Sequence, residues 1–170
     1  SPEFRANAAH HRALAADLAK RLGTAAQGGG AEAVARHTSR GKLFVRERIE
    51  RLLDPGTPFL ELSTLAACEN WGGEVPGAGI VSGIGIVAGR EVILHADDAS
   101  VKGGAWYPES VKKIVRTLDI AIENHLPVVH LCDSAGGFLP AQADFFADRY
   151  FAGRMFRNQS ILSKMGVPQV

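Results

Sequence analysis

Two glycine-bearing turns are the parts of this sequence best suited to chemistry. One is Lys102-Gly103-Gly104, and the other is Ala135-Gly136-Gly137, which follows an apolar run from Pro127 to Cys132. Backbone N–H groups lack partners where a strand ends and a helix begins, so they can hold a negatively charged oxygen. Turns on two neighbouring strands could each contribute one N–H to a shared oxyanion hole. On these residues alone, an oxyanion hole is no better supported than an ordinary strand-to-helix turn in which glycine relieves steric crowding.

Neither turn offers a convincing nucleophile. Ser134 adjoins the second turn, but Cys132 occupies the place of the first glycine in the G-x-S-x-G nucleophile elbow. The six histidines are scattered, and no histidine–aspartate pair stands out. Metal-ligand spacing is also absent from the sequence. We therefore expect a site that stabilises an anion with its backbone and performs no nucleophilic attack.

Basic side chains near these turns suit a phosphorylated ligand. Arg36, Arg40 and Lys42 form a small cluster, and Lys102 adjoins the first pair of glycines. Guanidinium and ammonium groups bind phosphate through charge-assisted hydrogen bonds. The alternative for such a cluster is a solvated surface, and the frame of a P-loop is missing around Lys102.

Length, charge and composition exclude several classes of protein. The 170 residues suffice for one domain with a hydrophobic core. A net charge of +1 gives no bulk attraction to nucleic acid or to a membrane surface, and no apolar run is long enough to cross a bilayer. Cys68 and Cys132 lie far apart, which indicates a reducing compartment rather than a disulfide framework. Residues 1–4, Ser-Pro-Glu-Phe, are typical of an expression scar and are set apart from the fold.

Hydrophobic periodicity predicts the elements that position the two turns. Helices are expected over 5–26, 31–37, 45–53, 108–124 and 151–165, and strands over 59–65, 80–87, 91–96 and 127–132. The second and third strands should form a hairpin, and the last two should be joined by a helix as a βαβ unit. The run 127–132 is typical of a strand buried on both faces, and 27–30 of a flexible link. Residues 167–170 predict the start of a further strand.

Motifs spread along the chain match those of one enzyme family. They lie at residues 40–43, 45–49, 53–56, 73–81, 101–104, 107–108, 111–113, 138–142, 146–149 and 153–159. Together they resemble the carboxyltransferase (β) subunit of biotin-dependent acyl-CoA carboxylases, and most closely its methylcrotonyl-CoA branch. The resemblance runs from about residue 8 over nearly the whole chain, and it is far more specific than a lone glycine pattern.

The resemblance implies an α/β architecture. This is the crotonase-like (ClpP/crotonase) fold of stacked ββα units, whose loops hold a thioester oxyanion. A full subunit carries two such domains, and the chain matches only the first. The implied organisation is a helical extension over 5–40 and a partial N-terminal carboxyltransferase domain over 41–170. The domain is expected to be incomplete, because the family's second glycine-rich oxyanion segment would lie just past Val170.

The implied activity is transfer of a carboxyl group from carboxybiotin to an acyl-CoA, 3-methylcrotonyl-CoA or similar, through a thioester enolate. The biotin would be carried by a partner α subunit, and the β subunits would form a homo-oligomer, a hexamer. The location would be the cytoplasm of a bacterium or the mitochondrial matrix of a eukaryote. By resemblance, the enolate oxygen would meet the backbone of Gly103, Gly104, Ala135, Gly136 and Gly137. The CoA phosphates would be bound by Arg40, Lys42 and Lys102. The isolated chain is expected to be inactive, because the family's site forms between the first domain of one subunit and the second domain of another.

One departure from the family pattern concerns residue 135. Family members often have Asp-Ser-Gly-Gly-Ala where this chain has Asp133-Ser134-Ala135-Gly136-Gly137. Alanine keeps the N–H but resists positive φ. The hole is therefore distorted if Ala135 must be left-handed, and it is intact if Gly136 takes that conformation.

Two other functions stay open on the sequence. A crotonase-type hydratase or thioesterase acting without biotin would need a pair of carboxylates near the hole, and Asp97, Asp98 and Asp133 are candidates. An inactive scaffold or oligomerisation fragment would need no site at all.

Overall fold

Five α-helices and six β-strands make up the chain, and the computed structural model describes all of residues 1–170. The helices are α1 (Pro2–Ala26), α2 (Ala31–Thr38), α3 (Val45–Leu52), α4 (Pro108–Asn124) and α5 (Ala152–Lys164). The strands are β1 (Leu60–Leu62), β2 (Ile80–Val87), β3 (Arg90–Asp97), β4 (Ala105–Trp106), β5 (Val128–Leu131) and β6 (Gly136–Gly137). Every helix and strand expected from periodicity is present. None of the helices combines the length and apolar character that a membrane crossing requires.

The larger sheet has the strand order β1-β2-β3-β5, and it carries the predicted hairpin and βαβ unit. β2 and β3 are antiparallel, and β3 pairs in parallel with β5 after α4. The hairpin turn has positive φ at Ala88 (51°) and Gly89 (73°), as a tight turn between twisted strands requires. The Asp54 carboxylate accepts hydrogen bonds from both turn N–H groups, at 2.8 and 2.7 Å. The predicted hairpin of β2 and β3 and the predicted βαβ unit of β3, α4 and β5 are both confirmed.

Apolar layers cover the two faces of this sheet. On one face Ile93 packs against Leu118 of α4 and Leu162 of α5. On the other face Leu94 packs against Ile49 of α3. Because successive side chains of β3 point to opposite faces, its alternate residues serve both layers and hold the strand end in place.

β5 is less enclosed than its apolar sequence predicts. Within β5 only Val128 is buried, and the other three residues are half-buried. The free edge of β5 is lined by residues 168–170, where the His130 N–H donates to the Val170 carbonyl oxygen at 2.7 Å. The prediction of a strand buried on both faces is wrong for this chain, whereas the predicted start of a further strand is confirmed.

Two glycines at the end of the helical extension, Gly28 and Gly29, pack closely against Asp98 and Ser100. A Cβ on Gly28 would lie 2.3 Å from Asp98 Oδ2, and one on Gly29 would lie 1.9 Å from the carbonyl oxygen of Ser100. The Gly29 N–H donates to Ser100 Oγ at 3.0 Å. Only glycine permits so close an approach, so the prediction of a flexible link over 27–30 is wrong.

α1 extends across the residues that the sequence sets apart as a scar. It begins at Pro2, and Ser1 Oγ accepts the Phe4 N–H at 3.1 Å as an N-cap. The leucines at helical spacing in α1, Leu14, Leu18 and Leu22, are exposed in this chain, and only Ala25 of the helix is buried.

Candidate active site

The two glycine turns meet beside the larger sheet. β4 and β6 pair in parallel, with Ala105 opposite Gly136 and Trp106 opposite Gly137. The Phe138 N–H extends this pairing by donating to the Trp106 carbonyl oxygen at 2.8 Å. A Cβ on Gly103 would lie 4.0 Å from the Cβ of Ala135, so the two turns face each other as predicted.

The first turn is left-handed over three successive residues. The φ angles of Lys102, Gly103 and Gly104 are 48°, 69° and 74°. A Cβ on Gly104 would lie 2.3 Å from the carbonyl oxygen of Asp133. Residue 104 must therefore be glycine for two reasons, its conformation and the close approach of the second turn.

The second turn is not the start of a helix. Gly136 and Gly137 form β6, residues 139–144 form a 3-10 stretch, and the next α-helix begins only at Ala152. The expectation of a strand-to-helix turn is wrong here, because β6 pairs with β4 instead. Positive φ falls on Gly136, at 90°, and not on Ala135. The alanine at 135 therefore leaves the turn undistorted.

Two of the predicted donors have N–H groups without a partner. No loop, turn or side-chain hydrogen bond takes up the N–H groups of Gly103 and Ala135. By contrast, the Gly104 N–H donates to the Val101 carbonyl oxygen at 2.8 Å, and the Gly136 N–H donates to Ser134 Oγ at 3.0 Å. Gly104 and Gly136 hold the turns in shape, and Gly103 and Ala135 carry the groups that are free to meet an anionic oxygen.

Ser134 joins the two turns. Its Oγ donates to the Gly104 carbonyl oxygen at 2.7 Å and accepts the Gly136 N–H. No histidine contacts this hydroxyl to act as a base. The geometry therefore fits a structural serine.

Asp97 lies beneath both turns. Its Oδ1 accepts the indole N–H of Trp106 at 2.8 Å, and its Oδ2 accepts the Asp133 N–H at 3.2 Å. His95 Nε2 lies 3.6 Å from Oδ1. Burial acts to raise the pKa of Asp97, but the contact with His95 and the hydrogen bonds from Trp106 and Asp133 outweigh it and lower that pKa.

The pair of His95 and Asp97 was missed from the sequence. Residues two apart on a strand project from the same face, and that spacing was the available signal. It became informative only once β3 was known to end under the two turns.

The three carboxylates proposed for a hydratase do not form a pair. Asp98 accepts hydrogen bonds from the N–H and hydroxyl of Ser100, and burial raises the pKa of Asp98. Asp133 Oδ1 lies 2.6 Å from the ammonium of Lys42. Because Asp97, Asp98 and Asp133 each serve a different partner, the geometry disfavours the hydratase alternative.

A basic cleft of about 640 Å³ opens beside Gly103. Arg36, Arg40 and Lys102 line it, as do the glycines of the link between α1 and α2. Lys102 also contacts Glu74 in an exposed ion pair of 2.6 Å. Lys42 is outside the lining, so two of the three predicted phosphate contacts share one cleft and the third does not.

An aromatic cluster borders the second turn. Phe138 stacks on Tyr107 with ring centroids 4.5 Å apart, and Trp71 meets Tyr107 edge to face at 4.9 Å. The Trp71 indole N–H donates to Glu109 Oε2 at 2.9 Å. The cluster gives the site an apolar side next to β6.

Comparison with known protein families accounts for this arrangement. The family described as carboxyl transferase domain matches residues 36–170. The chain belongs to this family. The curated carboxyl transferases that it resembles include the biotin-dependent 3-methylcrotonyl-coenzyme A carboxylase beta1 subunit of Mycobacterium tuberculosis. That relative is 53% identical over 170 residues, which are all of this chain and 32% of the relative.

Other carboxyl transferases extend the likeness to eukaryotes and to solved structures. The probable mitochondrial methylcrotonoyl-CoA carboxylase beta chain of Drosophila melanogaster is 50% identical over 171 residues, which cover 100% of this chain and 30% of the relative. The crystal structure of the geranyl-CoA carboxylase beta subunit of P. aeruginosa superimposes with a TM-score of 0.74 at 39% identity, over 96% of this chain and 29% of that one. The structure of the transcarboxylase 12S hexamer superimposes with a TM-score of 0.77 at 30% identity, over 88% of this chain and 29% of that one.

These likenesses confirm the predicted family and its crotonase-like fold, in which β2, β3 and α4 form one ββα unit. The chain spans about a third of the length of the curated relatives that it matches.

Proposed function

We propose that this chain is part of the carboxyltransferase subunit of a biotin-dependent acyl-CoA carboxylase. The observation that carries the proposal is the pair of partnerless N–H groups, on Gly103 and Ala135, that face each other across β4 and β6. Membership of the carboxyl transferase family supports the reaction class. The names of the relatives support an acyl-CoA such as 3-methylcrotonyl-CoA as substrate.

The role of the two turns is to stabilise a thioester enolate. When the acyl-CoA loses a proton from its α or γ carbon, negative charge moves to the thioester oxygen. N–H groups already aimed at that oxygen stabilise it without reorganisation, and the loss of one such donor typically costs about 2.7–4 kcal/mol of barrier. Carboxybiotin would supply the carboxyl group that bonds to the enolate carbon, and the proton lost by the acyl-CoA would end on the biotin nitrogen from which that group departs. Biotin, carried by a partner, supplies only the carboxyl group, and we assign no residue of this chain to it.

The basic cleft supports a place for the CoA phosphates. Gly103 borders both the cleft and the oxyanion turn, so phosphates near Arg40 and Lys102 leave the thioester able to reach the turn. Arg40 has no ion-pair partner in the chain, which leaves its guanidinium free for a phosphate. Lys42 joins this set only if its ion pair with Asp133 opens.

The names of the relatives support a proposal for the partners and the location of the protein. We infer a biotin-bearing α subunit and a homo-oligomer of β subunits, a hexamer. Support comes from the hexamer assembly of transcarboxylase 12S. The location would be the cytoplasm in a bacterium or the mitochondrial matrix in a eukaryote, since eukaryotic relatives carry a mitochondrial name.

The proposal is tested with the full-length protein, a carboxylated biotin carrier and candidate acyl-CoA thioesters. We expect a carboxylated acyl-CoA that forms only when the carrier is carboxylated. Hydration or hydrolysis of the thioester at the same rate without biotin would instead favour the hydratase or thioesterase alternative. The 170-residue chain alone should give no product, and robust turnover by it would show that the site is self-sufficient.

A further inference from the structure

A single buried carboxylate links the two stretches of backbone that carry the free N–H groups. Asp97 accepts one hydrogen bond from the Trp106 indole and one from the Asp133 N–H. Trp106 lies three residues after Gly103, and Asp133 lies two residues before Ala135. The Asp97 carboxylate is therefore hydrogen-bonded to both stretches at once.

Packing alone does not explain a charged group at this position. Asp97 is 1% exposed, and burial of a carboxylate costs free energy unless polar partners replace its lost hydration. A leucine would fill similar space without that cost. His95, which is 3% exposed, approaches Oδ1 from the same strand and restricts the rotation of the carboxylate. The contacts that lower the pKa of Asp97 also keep the group ionised, so both oxygens remain acceptors.

We propose that Asp97 is a positioning residue that sets the spacing between the N–H groups of Gly103 and Ala135, with His95 fixing its orientation. This inference rests on the proposed function, in which those two N–H groups receive the enolate oxygen. Asp97 itself does not touch the substrate, because it is buried beneath the turns. Its effect on the reaction passes through the backbone.

The substitution Asp97→Asn tests this role with little change in shape. The carboxylate faces two donors, but an amide offers one acceptor oxygen and one NH₂ group, so one donor must meet another donor. We expect the β4–β6 pair to loosen as a result. Asp119→Asn is the matched control. The Oδ1 of Asp119 also accepts two hydrogen bonds, from Arg154 at 3.1 Å and Asn158 at 2.8 Å, but these join α4 to α5.

The first measurement is steady-state carboxylation by the complete carboxylase. Misplacement of a catalytic group by about 1 Å can cost about 10²-fold in rate, so Asp97→Asn should lower kcat by about that factor. KM for the acyl-CoA should change by less than about threefold, because the basic cleft is untouched. Asp119→Asn should leave kcat unaltered. An unchanged kcat in Asp97→Asn, or an equal loss in both variants, would overturn the proposal.

The second measurement needs no turnover. Amide hydrogen exchange of Phe138, whose N–H bonds to Trp106, reports the pairing of β4 with β6. Exchange at this amide should accelerate in Asp97→Asn and not in Asp119→Asn, and equal protection in the two variants would sink the assignment. If the wild-type enzyme fails to carboxylate any acyl-CoA, the proposed function falls, and the exchange result still decides the role of Asp97.

A further variant keeps the proposal testable if Asp97→Asn does not fold. Trp106→Phe removes one of the two donors and should lower kcat about tenfold, as expected for partial misplacement. If Asp97→Asn folds, its effect should be smaller in the Trp106→Phe background, because the amide oxygen can then turn to the Asp133 N–H. Full additivity of the two changes would contradict a shared carboxylate.

Discussion

Gly104 and Asp133 approach so closely that a Cβ on the glycine would lie 2.3 Å from the aspartate's carbonyl oxygen. The lack of a side chain at residue 104 allows the two turns of the candidate site to lie this close together. A side chain at 104 must either push the turns apart or distort a backbone that is already left-handed. The close approach of the two turns therefore requires that residue 104 have no Cβ.

Gly104→Ala should therefore both destabilise the fold and impair catalysis. Left-handed strain and the backbone clash add, so we expect a loss of about 3 kcal/mol in the free energy of unfolding. Gly89→Ala is the control, since its φ of 73° is nearly the same and its Cβ would meet nothing within 4 Å. That variant should lose only about 1–2 kcal/mol, and carboxylation by it should be normal. Equal losses in urea unfolding would show that the contact with Asp133 is immaterial.

Ser134→Ala and Gly136→Pro separate a backbone site from a serine nucleophile. Ser134→Ala removes the hydroxyl that joins the turns, which should cost about 1–2 kcal/mol of stability and at most about tenfold in kcat. Gly136→Pro should abolish turnover, because proline fixes φ near −65° where the chain has 90°. Circular dichroism must show that both variants are folded. An inactive Ser134→Ala enzyme beside an active Gly136→Pro enzyme would establish serine chemistry instead.

Lys102→Glu should weaken the binding of CoA. The change reverses a charge in the basic cleft and places it beside Glu74, its present ion-pair partner, so the local potential becomes negative. We expect the Kd for CoA from titration calorimetry to rise about tenfold and to depend less on salt. Lys164→Glu, at the end of α5, makes the same charge change outside the cleft and serves as the control. Identical affinities in the two variants would remove Lys102 from the phosphate site.

Lys113 should make stability depend on pH in the alkaline range. Its ammonium is buried and donates to the carbonyl oxygens of Gly77 and Ile80, and burial lowers the pKa of Lys113 to about 8. Between that value and the ordinary 10.5, the unfolded chain binds a proton that the folded chain does not. The free energy of unfolding should therefore rise as pH increases from about 8 to 10.5, by up to on the order of 3 kcal/mol.

Urea unfolding of Lys113→Met and Lys112→Met across this range checks the assignment. Lys112 is exposed and adjacent, so its variant controls for the other groups that titrate at alkaline pH. The rise should vanish in Lys113→Met and persist in Lys112→Met. A rise that survives in both would assign the dependence to another group.

Regular elements were predictable because their signals are local. The stripe of α4 and the hairpin of β2 and β3 are encoded within windows of fewer than twenty residues. The short strand Gly136–Gly137 was not predictable, because two glycines carry no strand signal and form one only by pairing with Ala105–Trp106.

The site shows the same division between local and long-range information. Both turns were found from glycine spacing, but which N–H groups are free depends on long-range contacts such as that of Ser134 with Gly104. The pairing of Lys42 with Asp133, 91 residues away, likewise has no trace in either local sequence.

The close seating of Gly28 and Gly29 on Asp98 and Ser100 has a consequence for how the chain can be divided. Residues 98–100, against which these glycines pack, lead directly into Lys102–Gly104. The helical extension therefore supports the loop that carries one of the two proposed oxyanion donors. Removal of residues 1–40 at the boundary suggested by sequence would strip one wall from the cleft and leave that loop unsupported. Substrate affinity and turnover should then decline together, although residues 1–40 carry neither of the two proposed oxyanion donors.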